Sequence, residues 1–180
     1  MYRFLTKIND EKKAVSIYSD SENDTKFNVG YIAALNPEQL LLQNISPGGE
    51  YDGYMWLRVE NVFRCSVNGK YEEKILQLGR TKDRRGLSLK VQQENILQDL
   101  LIYAMKEKRL LEFVFLGGYI TGYILGFSEE ALEIQEVNEY GKIDGVSCIT
   151  MGIVDEIHLD SITCREVERL KDLDSFDGKR

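Results

Sequence analysis

Few of the 180 residues stand where side chains could do chemistry together. His158 is the single histidine, and an imidazole can act as a base or a metal ligand near neutral pH. It sits between Ile157 and Leu159, with Asp155, Glu156 and Asp160 close by in sequence. No second ligand follows at metal spacing and no nucleophile stands beside it, so the pattern reads as a structural histidine. Asp52 and Asp144 could be pictured as a carboxylate pair for acid–base work. Each precedes a glycine, however, and Asp-Gly is turn chemistry. Gly48-Gly49 and Gly117-Gly118 read as loops and fit no phosphate-binding glycine pattern. Cys65, Cys148 and Cys164 are odd in number and show neither disulfide nor zinc spacing. A reducing, cytoplasmic setting accounts for them. Neither catalysis, nor a metal, nor a cofactor is expected from this set.

Two features point instead to binding. Trp56 is the only tryptophan, and Arg58 lies on the same strand face. Aromatic and basic side chains in alternation can stack a nucleobase, although an alternating Trp also suits a core or an interface. Arg80, Lys82, Arg84, Arg85 and Lys90 make the one cationic cluster, either a solvated linker or a patch for phosphate or a partner. Arg80, Lys82, Arg84, Arg85, Trp56 and Arg58 are therefore the candidate partner-binding or nucleic-acid-binding residues. Charge bounds the partner. Residues 1–80 carry 10 basic and 11 acidic side chains, residues 81–90 carry 4 and 1, and residues 91–180 carry 9 and 18. The last stretch repels phosphate at long range.

The elements that position these residues come twice. Gly30-Tyr31-Ile32 recurs as Gly122-Tyr123-Ile124, and Asp52-Gly53 recurs as Asp144-Gly145, both 92 residues on. A repeat this long is a whole small domain, since solenoid periods run only ~20–50 residues. Each copy opens with an amphipathic helix. Ile96, Leu97, Leu100, Leu101, Ala104 and Met105 follow the helical period, with Ser88 as N-cap, and Phe4, Leu5 and Ile8 form a shorter version. Short strands follow, marked by alternation at Val15 and Ile17 and at Leu111, Phe113 and Phe115. They continue through Gly30 and Gly122, through Leu40 to Ile45 and Leu132 to Val137, and through Met55 to Val59 and Val146 to Thr150. Val62 to Arg64 is matched with Ile157 to Leu159, which implies three residues gained near Met151. Glu73 to Leu78 and Glu168 to Leu173 read as a fifth strand or a terminal helical turn.

Helix followed by about five short strands, with glycine and aliphatic spacing of this kind, resembles the Sm-like (LSm) family of SH3-like barrels. The resemblance implies a mainly β (α+β) chain of two tandem five-stranded barrels, each preceded by an N-terminal helix. Its parts are a first barrel at 1–80, a basic linker at 81–90, a second barrel at 91–174 and a tail at 175–180. The family's RNA-binding residues do not carry over. Leu40 and Leu132 stand where its first motif has Asn, and neither Arg58-Val59-Glu60-Asn61 nor Thr150-Met151-Gly152-Ile153 holds its Arg-Gly. A weaker likeness to the WYL domain runs through Arg109 to Phe115. The resemblance further implies assembly through strand edges. The function expected is a cytoplasmic, non-enzymatic binding or assembly protein, a homo-oligomer whose ligand is protein or RNA. The alternative is a regulatory module working with a separate transcription factor. No signal peptide or membrane-spanning run is visible.

Overall fold

The computed structural model describes residues 1–21, 23–82 and 86–177, the last five by backbone alone. The chain divides into two compact units, Met1–Asp99 and Leu100–Arg180.

Unit 1 opens with helix α1 (Tyr2–Asp10), which buries Leu5 and Ile8. Strands β1 (Val15–Tyr18), β2 (Asn28–Leu35), β3 (Gln39–Ile45), β4 (Tyr51–Arg58) and β5 (Arg64–Val67) follow, then helix α2 (Lys70–Leu78). Period-two alternation sends Leu40, Leu42, Met55 and Leu57 to one face, where they join Leu5, Ile8, Val15 and Ile17 in the main core. Val29, Ile45 and Ile75 make a second, smaller core. Helix α3 (Ile96–Lys106) contains the division between the units and buries Ile96, Leu100, Leu101 and Ala104. Unit 2 continues with β6 (Leu111–Phe115), β7 (Gly118–Phe127), β8 (Ala131–Val137), β9 (Ile143–Thr150), β10 (Glu156–Leu159) and helix α4 (Ile162–Asp177).

The ten strands are all antiparallel, and they form open sheet rather than two closed five-stranded barrels. Within unit 1 the order is β5-β1-β2-β3-β4, and within unit 2 it is β10-β6-β7-β8-β9. In neither do the two outer strands pair with each other, so the expected barrels are corrected. Element order alone does not tell an open sheet from a closed one; closure also requires a tilt and stagger that return the last strand to the first. Here short 3₁₀ turns at Val59–Asn61 and Met151–Ile153 carry the chain across to β5 and β10, beside β1 and β6.

The repeat is tighter than its sequence suggests. The two 3₁₀ turns, β5 and β10, and the first residues of α2 and α4 all stand 92 residues apart. No residues are gained near Met151, and Cys65 rather than Val62 is the counterpart of Ile157. The segments at Glu73 and Glu168 are helical. Helix α3 begins at Ile96, so Ser88 does not cap it.

The repeated glycines answer to backbone contacts. A Cβ on Gly30 or Gly122 would collide with the carbonyl of Gln43 or Gln135 on the next strand. Gly49 and Gly141 adopt φ of +84° and +77°. They let the β3–β4 and β8–β9 hairpins press on the backbone of residues 75–79 and 167–171. The Asp-Gly pairs are bulges rather than tight turns. Gln43 and Ile45 face Tyr54 and Tyr51, so β4 carries one extra residue at Asp52-Gly53, and β9 does the same at Asp144-Gly145.

Candidate functional site

Two places stand out, and both come in repeat-related pairs. The first is a hollow bounded by the start of the second strand, the end of the third, the bulge of the fourth and the helix that follows the fifth. In unit 2 it measures about 470 Å3, and Tyr119, Glu136, Glu139, Tyr140, Asp144 and Thr163 are among its walls. In unit 1 the same repeat positions enclose only about 180 Å3, with Phe27, Asn44, Pro47, Asp52 and Tyr71 among the walls. The size difference has a side-chain cause. Tyr71 meets Phe27 edge-on with ring centroids 5.0 Å apart, and Phe27 stacks on Tyr18 at 4.9 Å. Thr163 replaces Tyr71 in unit 2 and leaves that space open. The charge differs too, with Glu136 for Asn44 and Glu139 for Pro47. Glu136 accepts a hydrogen bond from the Ser147 hydroxyl. The Tyr140 hydroxyl is held above its ordinary pKa by its hydrogen bond to Glu139 and by that carboxylate's charge.

The second place is strand β9. Within unit 2 it pairs only with β8, and Ile143 and Val146 are 58% and 65% exposed. Their counterparts on β4, Tyr51 and Tyr54, are 8% and 5% exposed. Residues 86–97 account for part of that cover within unit 1. Gly86 lies against the Tyr51 ring. The Tyr54 hydroxyl donates to the Leu87 carbonyl at 3.0 Å, and the Asn36 amide donates to the Gln93 carbonyl at 2.6 Å.

Of the residues expected from sequence, Trp56 and Arg58 share a hollow of about 430 Å3 with Glu38, Gln39, Glu60 and Leu97. The indole is only 1% exposed, its N–H donates to Gln39 Oε1 at 3.2 Å, and the same oxygen accepts the Leu97 N–H at 2.9 Å. The Arg58 guanidinium lies 5.3 Å from the ring centroid. Neither Arg80 nor Lys82 lines this hollow. Arg80 lies in the 3₁₀ turn Gly79–Thr81, and Lys82 is ion-paired with Glu50 at 2.9 Å. Arg84 and Arg85 lie outside the described residues. His158 is held by Glu156 at 3.0 Å. Cys164 is buried, and burial pushes its thiol up to about 12, far from the lowered range of reactive thiols. Among the described residues, no group of three or more His, Cys, Asp or Glu could hold a metal ion, and no helix is long and apolar enough to cross a membrane.

The hollows were missed because the repeat draws attention to what the copies share. Their signal lies in positions where the copies differ: Asn44 against Glu136, Pro47 against Glu139, Tyr71 against Thr163. Compared with known proteins, the chain matches no family model, no curated protein and no solved structure.

Proposed function

We propose that this is a non-enzymatic assembly protein that joins to a second copy of itself through strand edges, β9 of one chain taking β5 of the next. The observation that carries this reading is the exposure of Ile143 and Val146 on a strand whose repeat counterpart is buried. An unpaired strand edge is a template for another strand, and main-chain hydrogen bonds then supply affinity while alternate side chains supply specificity. Two further features support it. Within unit 1, β5 pairs only with β1, so each chain offers two different open edges, as a head-to-tail contact needs. The β5 edge carries the exposed cation Arg64, and β9 carries the exposed Asp144. RNA is the weaker ligand, because residues 91–180 hold 18 acidic side chains against 9 basic.

Light scattering behind a sizing column, with absorbance at 260 and 280 nm, tests the reading across a wide range of concentrations. A nucleic-acid-free oligomer is expected, shifting to smaller species in Val146→Lys. A monomer at every concentration, or an oligomer that assembles only with bound nucleic acid, would overturn it.

A further inference from the structure

Among the described residues, five large apolar side chains are more than half exposed, and all five belong to unit 2: Leu116, Tyr119, Tyr140, Ile143 and Val146. Apolar exposure gathered in this way marks an interaction site. Leu116 is the extreme case at 80%, and its backbone conformation is unfavourable as well. Phe115 and Gly118 are register partners, so Leu116 and Gly117 alone make the β6–β7 turn. Their φ values of +46° and +76° are the positive pair of a type I′ turn, for which Asn-Gly is the ordinary choice. A leucine there meets the left-handed steric penalty with no polar group to offset it, and it gains little packing in return. Strain kept at an exposed position points to a use for that position.

The hairpin that Leu116 tops carries Tyr119 on its second strand. Tyr119 and Tyr140 are both walls of the hollow of about 470 Å3 in unit 2. Phe27, the counterpart of Tyr119, is taken up by the rings of Tyr18 and Tyr71. Tyr119 has Val114 as its register partner and Thr163 in place of Tyr71, so its ring is left free of that packing. Glu136, Glu139 and Asp144 line the same hollow, and none of the described lining residues is Lys or Arg. The hydroxyls of Ser147 and Tyr140 donate to Glu136 and Glu139, which leaves both charges uncancelled. Among the described residues none of the three carboxylates is in an ion pair.

The two chemistries side by side select the partner. An inorganic cation would meet the carboxylates and gain nothing from Leu116 or Ile143. A wholly apolar partner would desolvate the carboxylates without answering their charge. A Lys or Arg side chain does both, since its stem lies along apolar surface while its head meets carboxylates and aromatic faces. An aliphatic neighbour in the same segment then covers Leu116. The balance of residues 91–180, 18 acidic against 9 basic, favours the approach of a cationic segment.

We propose that the Leu116-Gly117 tip and the hollow between Tyr119 and Tyr140 dock a basic–aliphatic polypeptide segment, with a Lys or Arg side chain in the hollow and an aliphatic neighbour on Leu116. Leu116, Tyr119 and Tyr140 lie outside β9 and β5, so this holds whether or not those edges join.

The probe is the peptide Ac-Leu-Lys-Leu-Lys-Leu-NH2, titrated into the full chain and followed by 1H–15N NMR, beside Ac-Leu-Glu-Leu-Glu-Leu-NH2 and Ac-Gly-Lys-Gly-Lys-Gly-NH2. Saturable shifts at the amides of Tyr119, Tyr140 and Asp144 are expected with the first peptide alone. They should weaken in about 1 M sodium chloride, where charges are screened within ~3 Å. Leu116→Asn restores the residue that the turn prefers, so the thermal midpoint should rise while peptide binding weakens about tenfold, a change of ~1.4 kcal/mol. If that variant does not fold, the wild-type titration with the three peptides still decides. Equal binding of the glutamate peptide, or unchanged binding to Leu116→Asn, would overturn the proposal. So would a smaller oligomer of Leu116→Asn in light scattering without peptide, which would make the tip a contact between copies of this chain.

Discussion

Strands β4 and β9 occupy the same place in the two units and face different surroundings. Trp56, Tyr54 and Tyr51 on β4 are buried, whereas Cys148, Val146 and Ile143 at the same positions of β9 are exposed. On the neighbouring strand, Leu41 is fully buried and its counterpart Glu133 is exposed. The inward faces have diverged less, with half-buried Ser147 in place of the buried Met55. Leu40, Leu42 and Leu57 correspond to Leu132, Ile134 and Ile149, and all six are buried. One backbone plan therefore supports two outward surfaces, and the difference lies wholly in side chains and in what covers them. Unit 1 spends its outward face on packing. Unit 2 leaves that face, and its wider hollow, available.

The sharpest way to break this comparison is to truncate both counterparts. Trp56→Ala removes a large, fully buried ring and should cost ~3–5 kcal/mol. Cys148→Ala touches an exposed position and should stay within about 0.5 kcal/mol of wild type. Urea denaturation followed by far-UV circular dichroism measures both. A Trp56→Ala cost below ~1 kcal/mol would mean that the β4 face is not sealed in solution.

A second contrast lies at the start of the helix that follows the fifth strand. In unit 1 the Glu72 carboxylate accepts from the hydroxyls of Ser16 and Ser66. Burial works to raise its pKa, but the Ser16 hydroxyl, its own N–H, the Ser66 hydroxyl and the Gly69 N–H together hold it below the usual range. At the same repeat positions unit 2 has Glu112, His158 and Cys164, so the acid has moved from helix to strand and a thiol has taken its place. Ser16→Ala should destabilise by ~1–3 kcal/mol, because it removes a donor from a buried charge. The sign of the pH effect follows from the lowered pKa. Stabilisation is complete above the unfolded carboxyl value of ~4.3 and is lost as pH falls through the lowered folded value. Glu72→Gln should therefore flatten the loss of stability on acidification, and a denaturation midpoint as steep as wild type would exclude this role. In unit 2 the corresponding test is a thiol-reagent titration at neutral pH. Cys148 should react in the folded protein, and Cys164, with its pKa at about 12, only on unfolding.

Much of this architecture was legible in the residues, for a physical reason. Period-two alternation at Val15 and Ile17, and at Leu111 and Phe113, reports which face is buried, and burial is what makes a strand. The repeat of Gly30 and Gly122 reports a steric demand that is the same in both units. Sheet closure was not legible, because nothing in a strand's own alternation says which strand lies beside it at the outer edge. The supposed insertion near Met151 had a similar origin. Ile157-His158-Leu159 looks like Val62-Phe63-Arg64 by hydropathy, but the register is held by the 3₁₀ turn and by Asn68 and Asp160, which adopt φ of +59° and +58°. Trp56 and Arg58 were legible as neighbours, since they are two apart on one strand, but not the burial of the indole. Its hydrogen-bond partner Gln39, and Leu97 beside it in the same hollow, come from distant parts of the chain.

The smallest effect concerns how residues 86–92 are held. Leu87, Leu89 and Val91 are half-buried while Gly86, Ser88, Lys90 and Gln92 are exposed, a period-two pattern without a strand ladder. With no ladder, the segment is tied to the rest of unit 1 by side chains of Tyr54 and Asn36, at Leu87 and just beyond it at Gln93, while Gln92 is held by the Asp99 carboxylate and by the Asn95 N–H. Unit 2 has Val146 and Ser128 at the positions of Tyr54 and Asn36: valine has no side-chain donor, and Ser128 keeps the accepting role of Asn36, taking the N–H groups of Glu130 and Ala131, on a side chain without the amide that Asn36 donates from. Tyr54→Phe keeps the ring and removes the hydroxyl, which donates to the Leu87 carbonyl at 3.0 Å and accepts a long hydrogen bond from the Gln43 amide at 3.4 Å, so the global cost should be ~0.5–1.5 kcal/mol, most of it from the shorter bond. Amide hydrogen exchange reads the local consequence. Exchange across residues 86–92 should accelerate more than at Leu40 or Leu57, because a segment tied by few bonds opens without global unfolding. Equal acceleration at all of these sites would mean that the segment opens only with the core, and that packing of Leu87, Leu89 and Val91, rather than the Tyr54 hydroxyl, keeps the β4 face covered.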